Sequence, residues 1–272
     1  METSKTNPLN VPMAIVIAGL LVAGAIFLRG SGGEGTLLKK EAVQPSVQTA
    51  PPELGTITLK PLSASDYIRG NPDARIVFVE FSDTECPFCK RFHATMQQVM
   101  NEYGKSGNVA WVYRQYPIVQ LHSKAPKESE ALLCAGELGG NATFWEYTDR
   151  VFATTNSNDS FDPALLPKIA TDIGLNEKAF TECLGSGRQK ARVDSEYDDG
   201  VSAGVNGTPH SVLVLKTPIS EKSRKALMTI LEPYRDNQGQ LPVTFSMDGL
   251  RVGLNGALPY PMLKSAIDTL LK

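Results

Sequence analysis

Hydrophobic positions near the start of the chain form one long apolar run, whereas those further on recur with the periods of strands and helices. Within residues 11–28, the stretch Met13–Leu28 (MAIVIAGLLVAGAIFL) carries no charge. A helix over all 18 residues of 11–28 spans roughly 27 Å at about 1.5 Å per residue, close to the ~30 Å of a bilayer's hydrocarbon core. The pattern therefore predicts a transmembrane anchor at 11–28 after a short tail at 1–10. The small residues that resemble a signal-peptide cleavage site lie inside the run, which favours an uncleaved anchor.

Residues 29–60 have the composition of a linker. They are rich in Gly, Pro, Ser, Thr and Gln and contain the stretches GSGGEG and PSVQTAPPELG. Such a segment cannot bury enough apolar surface to fold alone. We therefore expect a flexible linker at 29–60 and a folded domain at 61–272.

The first part of that domain has the pattern of a βαβ unit. Arg75–Phe81 (RIVFVEF) is short, β-branched and aromatic, as a buried strand is. From Pro87 to Tyr103 apolar residues recur at helical spacing, and Pro87 suits a first helical turn. A second strand is predicted at Val109–Arg114. Strand, helix and strand within about 40 residues favour parallel pairing of the two strands.

The rest of the domain alternates between a helical block and a second sheet-forming half. Residues 120–200 contain four or five helical patterns with no strand among them. Strand character returns at His210–Lys216, and a helix is predicted near Ser220–Tyr234. The stretch VTFSMDGLRVG then predicts two strands around a turn, and Leu258–Lys272 predicts a last helix. The fold class is therefore α/β with a helical insertion.

Composition changes this picture little. The chain has 272 residues, 42% of them hydrophobic, which is enough for a substantial core. The formal net charge is −2 and no basic block is present. Nucleic acid is therefore not expected as a partner.

The candidate chemistry lies in Glu80–Phe92 (EFSDTECPFCKRF), where the first strand gives way to the first helix. A thiol attacks as its thiolate, and the start of a helix favours the anion. Cys86 is therefore a candidate exposed nucleophile. Cys89, one turn further on, is placed to resolve a mixed disulfide.

The same two cysteines could be half of a zinc site. Structural zinc needs four ligands, usually from a second CxxC or a paired-histidine motif. The other cysteines, Cys134 and Cys183, are single and far apart, and the three histidines show no such spacing. No metal site is predicted.

Two further positions stand out. Glu80 lies in the predicted strand six residues before Cys86, and a buried acid is costly unless it has a partner or a role. It is interpreted either as a proton relay for the thiols or as a side chain that points to solvent or pairs with Lys90 or Arg91. Pro209 directly precedes a strand, so the Thr208–Pro209 bond is a candidate cis turn.

Together these residues resemble the DsbA type of thiol–disulfide oxidoreductase in the thioredoxin superfamily. The resemblance rests on FVEFSDTECPFCKRF, GVNGTPH, CAGELGGNATFWEYTDRVF and FTECLGSG, and it covers roughly 61–216 before resuming at LRVGLNGALPYPMLKSAID. It implies a thioredoxin-like fold with an inserted helical subdomain. In that fold Cys86 and Cys89 form the redox pair, Glu80 carries protons, and the Thr208–Pro209 loop holds the substrate chain.

Two features depart from that family. The dipeptide between the cysteines is Pro87-Phe88, where the strongest oxidants carry Pro-His, so one stabiliser of the thiolate is missing. In addition, about 25 residues at 217–241 intervene before the last strands, where the family has a tight turn. This segment is interpreted as an added helix in a surface insertion, with a cover for a sheet edge or a partner contact as the alternative.

Cys134 and Cys183 lie in apolar company within the helical block. Separate buried thiols are common. An exported protein beside an oxidising pair would not keep two stray thiols, so a structural Cys134–Cys183 disulfide is predicted.

These inferences predict a membrane-tethered enzyme that introduces disulfides into exported proteins. No cofactor or metal is needed beyond the Cys86–Cys89 disulfide. The expected partners are unfolded or reduced exported proteins and, from the resemblance, a quinone-linked membrane reoxidant of the DsbB or vitamin K epoxide reductase type. Charge around the anchor favours a cytoplasmic body, but the redox chemistry favours the extracytoplasmic side, which we adopt.

Three alternatives stay open at this point. The same fold could act as a reductase or as an isomerase, although residues 29–60 are too short and polar to be an isomerase's dimerisation domain. The cysteines could be ligands in a tethered metal-binding or peptide-binding module. The chain could also be a scaffold with an incidental disulfide.

Overall fold

The computed structural model describes residues 54–272. Seven strands lie in this part of the chain: β1 (Leu54–Gly55), β2 (Ile68–Gly70), β3 (Ile76–Ser82), β4 (Val109–Gln115), β5 (His210–Leu215), β6 (Val243–Ser246) and β7 (Arg251–Asn255). Seven α-helices accompany them: α1 (Pro87–Val99), α2 (Ala125–Thr154), α3 (Leu165–Asp172), α4 (Glu177–Ser186), α5 (Lys190–Ser202), α6 (Glu221–Leu231) and α7 (Tyr260–Leu270). A π-helical turn, Met100–Gly104, extends α1.

The strands form one mixed sheet in the order β1-β6-β7-β5-β3-β4-β2. β3 is central, parallel to β4 and antiparallel to β5. The predicted βαβ unit is therefore confirmed. Because β3 is covered on both faces, all seven of its residues are buried, which explains why its sequence is almost continuously apolar.

Alternate residues of β3 face two different cores. Phe78 packs with α1 and the helical block, whereas Val79 and Phe81 pack on the other face of the sheet. Glu80 shares the Phe78 side because side chains two apart on a strand point the same way. The one acidic residue of the strand therefore faces the side on which α1 lies.

The predicted linker ends earlier than its composition suggested. β1 pairs with β6, and Ile57 and Leu59 are buried against the sheet. The backbone N–H of Lys60 donates to Asp199 in α5 at 2.7 Å. The boundary placed after residue 60 is thus wrong, because alternating apolar residues follow the Pro-rich stretch and dock on the domain.

The predicted helical insertion is present as α2 to α5. Its first helix is broken at Gly140, whose positive φ of 78° suits a glycine. A disulfide joins Cys134 in α2 to Cys183 in α4, with the two Cα atoms 5.9 Å apart. The two cysteines are 49 positions apart in sequence, so the bond ties together two separate helices of the block.

The segment 217–241 is more than the tolerated surface insertion that was favoured. It forms α6, in which Leu227 and Leu231 are fully buried in the main core. The Arg224 guanidinium lies 5.3 Å from the ring centroid of Phe245 in β6. α6 also packs against α7, so this segment is part of the main core of the domain.

Within residues 54–272 we find no helix that combines the length and the apolar character needed to span a bilayer. The anchor predicted at 11–28 lies outside the described residues. So do the tail at 1–10 and most of the predicted linker.

Candidate active site

The candidate active site forms where β3 ends, α1 begins and the loop before β5 returns. Strand pairing sets His210 opposite Phe81, which carries the preceding Pro209 to the end of β3. The Thr208–Pro209 peptide bond is cis. The Cys86 thiol donates to the Thr208 carbonyl oxygen across 3.4 Å. The fold therefore brings together the CxxC pair and the proline loop.

Cys86 is the residue from which α1 starts. Its backbone is extended (φ −76°, ψ 122°), Pro87 occupies the first turn, and its own carbonyl accepts the first helical hydrogen bond, from Lys90 at 3.1 Å. The Cys89 thiol, the Thr208 side chain and the free backbone N–H groups of the first turn all favour the thiolate. Together they lower the pKa of Cys86 to about 6, although burial works against them.

Cys86 is less open to solvent than expected for the nucleophile. Only 5% of its surface is exposed, because its sulfur lies against the Thr208–Pro209 loop. The expectation of an exposed thiol is therefore wrong for the reduced form. Phe88, in contrast, is 52% exposed, with the Arg91 guanidinium 5.1 Å from its ring centroid.

The surroundings of Cys89 favour its thiol, whereas those of Cys86 favour the thiolate. Cys89 is fully buried, and its sulfur accepts a hydrogen bond from the backbone N–H of Asp83 at 3.5 Å. Burial, together with the neighbouring Cys86, raises the pKa of Cys89 well above its ordinary value. One cysteine of the pair is thus stabilised as a thiolate and the other as a thiol.

Glu80 is fully buried and does not point to solvent or pair with Lys90 or Arg91. The indole N–H of Trp111, on the neighbouring strand β4, donates to its Oε2 at 2.8 Å. Burial raises the pKa of Glu80 to about 7, with hydrogen bonding working against that rise. Near neutral pH this carboxyl can therefore both give and take a proton.

Two buried hydroxyl groups lie beside Glu80. Tyr113 stands opposite it in the β3–β4 register, and Ser82 lies two residues further along β3 towards the cysteines. Ser82 is fully buried and Tyr113 is 2% exposed. The sequence pattern places Tyr113 in a predicted strand and indicates no role for Ser82, because nothing in their local pattern signals a polar cluster.

Sequence reasoning also missed Asp83, which fixes the loop before Cys86. One of its carboxylate oxygens accepts from the Glu85 backbone at 2.8 Å. The other accepts from the Ile118 backbone at 2.8 Å and pairs with His122 at 2.9 Å. Because Asp83 is fully buried, these contacts hold the loop rigidly against the segment that leads into α2.

Two further buried acids lie behind this loop. The carboxylate of Glu85 accepts from the Phe161 backbone at 2.8 Å and from the Thr155 hydroxyl at 3.2 Å. Glu128, at the start of α2, is 1% exposed. Burial and the nearby acids Glu85 and Asp83 raise the pKa of Glu128 to about 8.

This arrangement is suited to thiol–disulfide exchange. It joins a stabilised thiolate, a buried second thiol, an acid that titrates near pH 7 and a peptide carbonyl in contact with the nucleophile. Among residues 54–272, no three His, Cys, Asp or Glu side chains are grouped as a metal site would require.

Comparison with known proteins agrees with this arrangement. The thioredoxin family model matches residues 63–232 of the chain. The crystal structure of Pseudomonas aeruginosa DsbA2 is 25% identical and superposes with a TM-score of 0.55, over 77% of this chain and 96% of that one. Oxidised BdbD of Bacillus subtilis superposes with a TM-score of 0.58 over 79% and 98% of the two chains. At 17% identity, that second likeness concerns the fold alone.

Curated relatives are similar over part of their length. The Na(+)/H(+) antiporter NhaA 3 of Salinispora tropica is 31% identical over 144 residues, which are 53% of this chain and 21% of that protein. The antiporter NhaA 1 of Mycolicibacterium gilvum is 29% identical over 167 residues, 59% of this chain and 25% of that one. The match thus spans only about a fifth to a quarter of these relatives.

Proposed function

The chain belongs to the thioredoxin family, and from that premise we propose that it is a thiol–disulfide oxidoreductase that introduces disulfides into exported proteins. The fold is that of DsbA-type enzymes. The observation that carries the proposal is the opposed state of the two thiols, since the pKa of Cys86 is lowered to about 6 and that of Cys89 is raised. A stabilised thiolate is a good leaving group, which favours transfer of the disulfide to a substrate.

In the first step a substrate thiolate attacks Cys86 of the oxidised enzyme. A bond forms between the substrate sulfur and the Cys86 sulfur, and the Cys86–Cys89 bond breaks. Cys89 leaves as a thiolate inside the protein, where an unpaired charge is costly, and it takes a proton supplied by Glu80.

In the second step the other thiolate of the substrate attacks the substrate sulfur in the mixed disulfide. The bond to Cys86 breaks and Cys86 leaves as its stabilised thiolate. Two electrons have then passed from the substrate dithiol to the enzyme, which holds Cys86 as thiolate and Cys89 as thiol. The substrate has gained one disulfide.

Thr208 and Pro209 would hold the substrate during both steps. The loop lies beside the Cys86 sulfur, and proline has no N–H to offer, so the Thr208 peptide group is the part that an extended chain can pair with. Backbone pairing of this kind does not depend on side chains. It suits an enzyme that acts on many unfolded or reduced proteins.

The proposed setting is the extracytoplasmic side of the cell membrane, with residues 11–28 as a single-pass anchor. The disulfide between Cys134 and Cys183 supports this side, because disulfides persist in oxidising compartments. Continued turnover there requires reoxidation of the Cys86–Cys89 pair. We propose a quinone-linked membrane enzyme of the DsbB or vitamin K epoxide reductase type for that step, with no cofactor in this chain.

Oxidation of a reduced two-cysteine peptide by the oxidised full-length chain tests the function. Stoichiometric formation of the peptide disulfide is expected, and a Cys86→Ala variant should form none. The reduction potential then separates an oxidant, near about −120 mV, from a reductant, near about −270 mV. Equal oxidation of the peptide by wild type and by Cys86→Ala would contradict the proposal. So would binding of stoichiometric zinc that blocks alkylation of the reduced cysteine pair.

A further inference from the structure

We propose that the buried hydroxyl of Ser82 carries the proton between Glu80 and Cys89, with Tyr113 holding that hydroxyl in place. This inference rests on the proposed function, since it concerns how the buried cysteine gains and loses its proton. Glu80 and Cys89 lie on different elements, β3 and α1. Ser82, the last residue of β3, lies between them along the chain and on the same face of the sheet as Glu80.

Strand geometry sets the order of the groups. Glu80 and Ser82 are two residues apart on β3, so their side chains point to one side. The next residue, Asp83, donates its backbone N–H to the Cys89 sulfur at 3.5 Å. Ser82 therefore directly precedes the residue that contacts Cys89. Its side chain is the next one after Glu80 on the same face of β3. Tyr113 flanks this row on β4.

The groups in this row have free hydrogen-bonding capacity. The Ser82 hydroxyl, the Tyr113 hydroxyl and Oε1 of Glu80 are all buried, and none has a fixed hydrogen-bond partner among the described residues. A buried polar atom without a partner costs roughly 1–3 kcal/mol. The three groups occupy neighbouring positions of β3 and β4, next to the residue whose N–H contacts the Cys89 sulfur, which indicates a polar path rather than a set of separate defects.

The second oxygen of the Glu80 carboxyl is already occupied. Its Oε2 accepts from Trp111 at 2.8 Å. The Trp111 ring is packed between Trp145 and His93, at centroid distances of 4.5 and 5.0 Å. Because Oε2 is held on that side, Oε1 is the oxygen left to carry the mobile proton.

The pKa values of the groups around Ser82 agree with a hydroxyl that they share. Burial raises the pKa of Glu80, of Cys89 and of Tyr113, and the nearby Ser82 side chain opposes the rise in each. The Ser82 side chain thus favours the ionised form of all three groups. That is the property a relay needs.

When the Cys86–Cys89 bond breaks, Ser82 gives its hydroxyl proton to the Cys89 thiolate and an S–H bond forms. In the same event the Ser82 oxygen takes the proton from Oε1 of Glu80, which becomes a carboxylate. No electron is moved in this transfer, and it runs in reverse when the pair is reoxidised.

Single-turnover reduction of the Cys86–Cys89 disulfide by a small dithiol, followed across pH, tests the relay in the full-length protein. Ser82→Ala should slow the reaction by roughly a hundredfold or more and remove the inflection near pH 7 that Glu80 produces. Ser82→Thr should restore much of both. Tyr113→Phe should slow the reaction less and shift the inflection. Ser129→Ala, which removes another fully buried and unpaired hydroxyl, in α2, should leave rate and inflection unchanged.

A double variant separates a relay from a merely structural role. Glu80→Gln alone should slow the reaction, and Ser82→Ala added to it should slow it little further, because both remove one path. Independent, additive losses would overturn the relay, as would wild-type rate and inflection in both Ser82→Ala and Tyr113→Phe. Alkylation of Cys86 should keep its midpoint near pH 6 in Ser82→Ala. A midpoint at ordinary thiol acidity in the wild type would instead overturn the proposed function itself.

Discussion

The sulfur of Cys86 lies 3.4 Å from the carbonyl oxygen of Thr208, a residue 122 positions further along the chain. The contact exists because β3 and β5 are antiparallel neighbours, so that the end of one strand meets the start of the other. It places the nucleophile beside a peptide group that a substrate chain can pair with. The same contact covers the sulfur and limits its exposure in the reduced form.

Removing the Cys89 thiol should weaken the Cys86 thiolate. In Cys89→Ala the pKa of Cys86 should rise by roughly one to two units, because a hydrogen bond to a charged group is worth about 1.5–3 kcal/mol. Cys89→Ser keeps a donor at that position and should raise it less. Alkylation rates of Cys86 across pH measure both shifts. If both variants kept the wild-type midpoint, Cys89 would not stabilise the Cys86 thiolate.

Phe88→His should make the enzyme more oxidising. A histidine at this position can stabilise the Cys86 thiolate electrostatically, and each unit by which the pKa falls can raise the potential by roughly 30 mV. Phe88 is half exposed, so the fold should tolerate the change. Equilibration with a glutathione buffer measures the potential, and Phe88→Gln, which adds a polar side chain without a titrating charge, is the control. An equal effect of both substitutions would contradict a role for the histidine charge.

Glu80 should make the reduced protein less stable as pH rises. The ordinary pKa of 4.5 is raised to about 7 in the folded state, so the folded chain holds the proton more tightly than the unfolded chain. Its contribution is complete below about pH 4.5 and is lost as pH rises through about 7, by an amount on the order of 3 kcal/mol. Denaturant unfolding of wild type and Glu80→Gln across this range measures the loss, which should be absent from Glu80→Gln.

Glu128→Gln is the matched control for that measurement. The pKa of Glu128 is raised to about 8, so its own loss of stability extends to higher pH and should disappear only in this variant. A wild-type profile that Glu80→Gln does not change between pH 5 and 7 would show that Glu80 is not buried as a neutral acid.

Breaking the Cys134–Cys183 bond should lower the free energy of unfolding by up to about 4 kcal/mol in the chain-entropy model, since the bond closes a loop between residues 49 apart. A Cys86→Ala/Cys89→Ala background isolates this bond from the redox pair. Urea unfolding of that protein before and after reduction compares one sequence in two states. Equal midpoints would show that the bond does not stabilise the fold.

Much of the scaffold could be predicted because its signals are local. Arg75–Phe81 and Val109–Arg114 were placed within one residue of β3 and β4, since continuously apolar, β-branched runs mark buried strands. The docking of Ile57 and Leu59 was missed because their alternation follows a proline-rich stretch that dominates the composition of that region. The burial of Leu227 and Leu231 depends on which face of α6 meets the core, which a helical pattern alone does not specify.

The site was predictable only in part for a similar reason. Cys86 and Cys89 are adjacent to a strand and a helix that are both visible in the sequence. The bonds from Trp111 to Glu80 and from His122 to Asp83 join residues 31 and 39 positions apart. Such pairs depend on strand register and on loop packing, neither of which leaves a local signal.

Titration of the Cys86 thiolate in the reduced full-length protein, followed by its ultraviolet absorbance, tests the central claim most directly. Cys86→Ala, which keeps every other titrating group, supplies the baseline. The structure predicts a thiolate signal with a midpoint near pH 6 that is absent from Cys86→Ala. A midpoint near the ordinary thiol value of about 8.5 would contradict the account.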